Sequence, residues 1–140
     1  MTTLNEIIDD FEFIEDWEDR YRYVIDLGKK LPVLTDEEQS DTYRVQGCVS
    51  QVWLIPNVDA SEPENPIMHF KGSSDAHIVS GLVAIMLAAF SGTPAKKIAD
   101  VEVNALFEKL GLIEHLTPQR ANGLRAMAAR IKQHAIEALS

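Results

Sequence analysis

Near the start of the chain, apolar residues recur every three to four positions. Leu4, Ile7, Ile8 and Phe11 would line one face of a first helix. Thr3 and Glu6 form a capping-box pair ahead of it, a hydroxyl and a carboxylate each able to satisfy a free helix-end amide. A second helix is expected from about Asp16. Trp17, Tyr21, Val24 and Ile25 form its apolar stripe, Lys29 and Lys30 suit its negative end, and Pro32 stops it.

The period then changes. Residues 42–45, 52–55 and 67–70 are short runs rich in β-branched and aromatic side chains. The connections hold Gly47, Pro56, Asn57, Pro63 and Pro66. This pattern predicts an antiparallel meander of about three strands. Helix resumes with Ser74 as the N-cap and runs to about Phe90, apolar nearly all round and therefore central. Thr93-Pro94 opens a short helix with proline in its first position, and residues 104–110 form another that ends at Gly111. Thr117-Pro118 repeats the start signal for a long last helix, with Ala121, Leu124, Ala128, Ile131 and Ala135 on one face. Helices, then strands, then helices predict a single α+β domain over residues 1–140, with the helices packed on one face of the sheet.

Composition narrows the function. The 140 residues are 46% hydrophobic and 25% charged, as in ordinary globular domains. The net charge is -9, the wrong sign for phosphate backbones or an anionic membrane surface. The longest apolar run, residues 82–90, falls far short of the ~20 residues a membrane span needs. The first ten residues carry neither the basic nor the apolar segment of a signal peptide, so the expected compartment is the cytoplasm. Residues 9–19 include seven acidic side chains among eleven, read as a solvated helix face.

Chemistry centres on the single cysteine, Cys48, in Gly47-Cys48-Val49-Ser50 between two strand-like runs. One thiol makes no intrachain disulfide and no cysteine-rich metal cage, and the four histidines lack ligand spacing, so no metal or cofactor is expected. As a spacing signal alone, Cys48 reads first as a small buried hydrophobe. Its turn setting favours chemistry. A thiolate can attack another sulfur, carry it and release it with no second cysteine. Gly47 allows the tight turn, while Ser50 and Gln51 are placed to fix the loop by hydrogen bonds. Asp75 lies at a helix start, where a carboxylate is stabilised. Arg120 lies in the first turn of a helix, the wrong end for a cation, which points to a carboxylate partner or a docking role. Trp53 reads as core or cavity wall.

The run Val45-Gln46-Gly47-Cys48-Val49-Ser50-Gln51-Val52-Trp53-Leu54 resembles the signature of the SufE/CsdE family of cysteine-desulfuration proteins. Three further stretches carry the same resemblance in order: Asp26-Leu27-Gly28-Lys29-Lys30-Leu31-Pro32, then Ser74-Asp75-Ala76-His77-Ile78-Val79-Ser80-Gly81-Leu82, then His115-Leu116-Thr117-Pro118-Gln119-Arg120-Ala121-Asn122-Gly123-Leu124. The resemblance implies an α+β fold like that of iron–sulfur scaffold proteins. It implies that Cys48 accepts persulfide sulfur from a cysteine desulfurase, stimulates that enzyme, and passes the sulfur towards an iron–sulfur cluster scaffold. Such a protein is a carrier rather than an enzyme, and the pyridoxal phosphate (PLP) belongs to its partner. Ser73 departs from the pattern, since many members carry an aspartate there, which makes the surroundings of the cysteine slightly less acidic.

We expect the Cys48 side chain to tuck into a mainly apolar hollow formed by Val45, Val49, Val52 and Trp53, and to swing outward on docking. Two alternatives are a thiol hydrolase pairing Cys48 with His69 or His115, and an interaction domain in which Cys48 is structural.

Overall fold

The computed structural model describes residues 2–140. Helix α1 (Leu4–Phe13) starts at Thr3, whose hydroxyl accepts from the Glu6 amide. Helix α2 (Trp17–Lys29) starts at Asp16, whose carboxylate accepts from the Glu18 amide. Arg20 ties the two together. Its guanidinium donates to the carbonyls of Phe11 (2.9 Å) and Ile14 (2.6 Å), so a cation satisfies the end of α1, where free carbonyls point. The acidic residues from Asp9 to Asp19 are all exposed, as a solvated face requires.

The sheet is antiparallel with order β1-β2-β3, built from β1 (Val52–Asp59), β2 (Ile67–Ser74) and β3 (Thr93–Pro94). Three strands are present, but not all in the expected places. Residues 42–45 make only one bridge, Arg44 to Trp53, flanked by two hydrogen bonds to β1. The reason is local: Tyr43 already closes a turn onto Ser40 on one side, and Gly47 with φ +91° turns the chain on the other. The third strand is instead Thr93–Pro94, so Pro94 caps the short helix α4 (Ala95–Ile98) rather than opening it. β1 also runs through Pro56, expected to be loop. Leu54 donates outward to Tyr43, so the missing amide of Pro56, two residues on, faces the same open edge and costs the ladder nothing.

Ser74 ends β2 and is not the helix cap. Helix α3 (His77–Phe90) begins after Ala76 without a side-chain cap. Along the side of β2 away from β1, serine hydroxyls stand in for a neighbouring strand. Ser91 Oγ accepts from the Phe70 amide, and Ser80 Oγ accepts from the Ser74 amide while donating to its carbonyl.

Every residue of α3 from Ile78 to Leu87 is buried. One side of the helix meets Met68, Phe70 and Gly72 of β2, with Gly72 against Val83, and the other meets α2. The α2–α3 contact is backbone on backbone. A Cβ at Gly28 would lie 2.6 Å from the Gly81 nitrogen, and one at Gly81 would overlap the Val24 carbonyl. Helix α5 (Val103–Lys109) ends at Gly111 with φ +70°, as expected. Helix α6 (Pro118–Ala138) lies on the same side of the sheet as α3, its His134 ring 6.4 Å from that of Phe70. Trp53 is buried but pairs with Ser73 on the opposite face, outside the central core.

Two measurements check this packing. Gly81→Ala should lose about 3 kcal/mol of stability, the upper end of overpacking costs, because the new methyl meets backbone that cannot turn aside. At this chain length that lowers the melting temperature by roughly 10 °C. His134 Nε2 accepts from Arg130 (3.2 Å), and Arg130 also donates to the Thr42 carbonyl. Burial, helped by Arg130, holds the His134 pKa below its ordinary value. A histidine lowered in the native state contributes stability above its unfolded pKa of about 6.5 and loses it as pH falls. Denaturant titrations from pH 7 to 5 should therefore show a shallower loss for His134→Gln than for the natural chain.

Candidate functional site

Residues 46–51 form a loop closed at its base by Val45 N donating to Val52 O at 2.8 Å. Its exit is locked a second way. The Gln51 amide donates to Asp75 Oδ1 (3.0 Å), the Asp75 amide donates back to Gln51 O, and Ser74 Oγ donates to that same oxygen at 2.7 Å. Asp75 thus precedes helix α3 and serves the loop rather than the helix dipole. Gln51 contributes through its backbone, not its side chain. Gly47 packs over Ala126, where a Cβ would come within 3.2 Å. Among the described residues, only one hydrogen bond joins the middle of the loop to the rest of the protein, from Cys48 Sγ to the Gly123 carbonyl at 3.6 Å.

Cys48 is half-buried beside a cavity of about 270 Å³. Loop residues Val49 and Ser50 form one wall, Val79 and Leu82 of α3 another, and Thr117, Gln119, Arg120, Gly123 and Met127 of α6 and its cap the third. The hollow is therefore real but differently walled than expected. Of the four proposed apolar neighbours only Val49 lines it, and Val49 is itself 77% exposed, at the rim. Val45 and Val52 point into the central core and Trp53 lies across the sheet, because alternate strand residues face opposite ways. The apolar walls come from the helices.

Gly123 lies directly against the thiol: a Cβ there would sit 3.5 Å from Cys48 Sγ, in ordinary contact, and its carbonyl accepts the thiol's hydrogen bond. Burial pushes the Cys48 thiol above its ordinary pKa, opposed by the positive charge of Arg44. The hydrogen bond to Gly123 also uses the proton, so the resting group is a protonated thiol. Arg44 had no motif to mark it. Gly123 carried a readable signal, since glycine inside a helix costs about 1 kcal/mol against alanine and invites a reason.

Arg120 lines the cavity, but no carboxylate pairs with it among the described residues. Its backbone amide completes the Thr117 cap. The histidines named as possible bases lie elsewhere. His69 is exposed on the sheet face turned away from the helices, and His115 stacks on Trp17 with ring centroids 3.7 Å apart. Neither lines the cavity.

A family model described as "Fe-S metabolism associated domain", SufE, matches residues 5–135. The chain belongs to the SufE family. A SufE-like protein of Rhizobium etli, named as uncharacterized, is 56% identical over 135 residues, covering 96% of this chain and 90% of its own. A SufE-like protein of Rhizobium meliloti, named in the same way, is 55% identical over 135 residues, covering 96% of each. The solution structure of a hypothetical protein from Thermus thermophilus shares the fold at TM-score 0.74, with 19% identity over 97% of this chain and 95% of that one. Membership of the SufE family ties the domain to iron–sulfur metabolism, and the α+β architecture agrees with it. No helix among the described residues is long and apolar enough to cross a membrane.

Iodoacetamide should alkylate Cys48 of this SufE-family chain more slowly than free cysteine at pH 7. Its rate should rise with an apparent pKa above the ordinary value of about 8.5. Asp75→Ala, which frees the loop exit, should speed that alkylation while costing only about 1 kcal/mol of stability. A rate equal to that of free cysteine would show that the cavity gives no shelter.

Proposed function

We propose that this chain is a sulfur acceptor and activator for a PLP-dependent cysteine desulfurase, with Cys48 as the acceptor. The observation that carries the reading is a lone thiol, half-buried at the edge of an open cavity, on a loop held firmly at its base and weakly at its tip. The donor persulfide offers its outer sulfur. The Cys48 thiolate attacks it, the donor sulfur–sulfur bond breaks, and the desulfurase cysteine leaves as the thiolate and takes a proton. The product is a persulfide on Cys48, with no net oxidation and no cofactor in this chain. An iron–sulfur scaffold complex is the onward acceptor.

The resting state suits a carrier. Only a thiolate attacks. A thiol held protonated against Gly123 is slow towards stray oxidants and electrophiles. On docking, moving the side chain outward breaks one weak S–H bond, removes the desolvation that raises the pKa, and leaves the Arg44 charge to favour the thiolate. Ser50 lies in the free part of the loop, Gly47 supplies its turn, Asp75 holds its exit through the Gln51 backbone, and Arg120 lines the cavity. The hydrolase alternative has little support, because the walls bring no imidazole to Cys48.

Incubation with a cysteine desulfurase, PLP and cysteine, followed by intact mass measurement, tests the proposal. One or more added sulfur atoms are expected, removed by reductant and absent in Cys48→Ser. Desulfurase turnover should rise with the natural chain and not with Cys48→Ser. An unchanged mass beside an active desulfurase would refute the assignment.

A further inference from the structure

The cavity is much larger than a carrier sulfur requires. At about 270 Å³ it could hold roughly nine waters at their ~30 Å³ share of liquid volume. That is just below the range of about 300–1,000 Å³ for small-molecule sites, which suits a ligand of only a few heavy atoms. Its walls combine apolar and polar side chains. Cys48 sits against Gly123, with Val79, Leu82 and Met127 giving an apolar surface. Arg120 lies three residues before Gly123 on α6, just under one turn or ~4.5 Å along the axis. Thr117 and Gln119 line the wall beside it. The Arg120 side chain is partly buried, yet it makes no ion pair or hydrogen bond among the described residues. A guanidinium in that state lacks a counter-ion, and a carboxylate matches its fork geometry best.

We infer that this cavity binds a small thiol carboxylate, of the 3-mercaptopropionate or cysteine kind, between Arg120 and Cys48, and that such a molecule is a direct acceptor of the carried sulfur. Two carbons separate the carboxylate and the sulfur of these compounds, short enough to lie within the cavity that both side chains line. The transfer rests on the acceptor role proposed above; the binding does not. In the transfer, the ligand thiolate attacks the outer sulfur of the Cys48 persulfide. The Cys48 sulfur–sulfur bond breaks, its electron pair returns to Sγ, and Sγ takes a proton from solvent. The ligand leaves as a small persulfide, and nothing is oxidised or reduced overall. The chain could then feed a diffusible sulfur pool as well as a protein partner.

The binding arm uses the unloaded chain and two thioethers that cannot react. Iodoacetamide alkylation of Cys48 is measured against rising 3-(methylthio)propionate or 2-(methylthio)ethanol. Saturable protection by the carboxylate is expected, with an affinity about tenfold better than for the alcohol, and Arg120→Gln should remove the difference. The transfer arm loads Cys48 with inorganic polysulfide, so that no desulfurase is involved, and follows loss of the extra mass. Discharge should saturate with 3-mercaptopropionate, stay linear with 2-mercaptoethanol, and become linear with both in Arg120→Gln. Arg120→Lys should restore part of the saturation. Equal protection by both thioethers, or discharge that follows thiol pKa alone in natural and variant chains, overturns the inference. If the carboxylate protects Cys48 but a desulfurase never loads it, the acceptor reading falls and the binding site stands.

Discussion

The close crossing of α2 and α3 at Gly28 and Gly81 sets the rest of the structure. With no side chain at either glycine, the two backbones touch, and α3 is pinned at one height and one rotation. The consequence lies in its neighbours. Val79, Ser80, Gly81 and Leu82 are consecutive, and about 100° separates each from the next around the helix. Gly81 faces α2, Ser80 turns to the end of β2, and Val79 and Leu82 wall the Cys48 cavity. One turn therefore serves three surfaces. A small rotation of α3 would spoil the Ser80–Ser74 bonds and the cavity together, even though the crossing lies on the far side of the helix from the thiol.

The chemistry depends on a balance of small terms. Desolvation favours the neutral thiol and Arg44 favours the thiolate. The S–H bond to Gly123 is weak, whereas the base of the loop is held by several ordinary hydrogen bonds. Strength lies at the hinge and weakness at the tip. In the acceptor role proposed for it, a side chain arranged this way changes its environment without the fold changing, and that change alters its reactivity. Net charge contributes in a different way. The chain carries -9 overall, with its acidic residues 9–19 exposed on α1 and α2, while Arg44 bears on the thiol and Arg120 lines the cavity.

The elements were largely legible because their signals are local. Caps at Thr3, Asp16 and Thr117, the stop at Gly111 and the all-apolar run of α3 each depend on residues within a few positions of one another. The misplacements follow the same rule in reverse. Residues 42–45 have strand composition but sit between a turn and Gly47, and Thr93–Pro94 became a strand only because β2 had an open edge there. Ser74 looked like a cap because nothing in its own neighbourhood reveals that Ser80 would bind it as the end of a strand.

For the site, sequence alone determined the turn and the family and singled out Cys48 as the candidate thiol, since a single cysteine after Gly47 within a continuous run of matching residues is read one position at a time. Tertiary structure decided what surrounds that atom. The apolar walls come from Val79, Leu82 and Met127, the acceptor from Gly123, the opposing charge from Arg44 and the latch from Asp75. Apart from Arg44, each lies more than twenty residues from Cys48 along the chain, and a side chain's surroundings are set by distance in space, which periodicity along one segment does not encode.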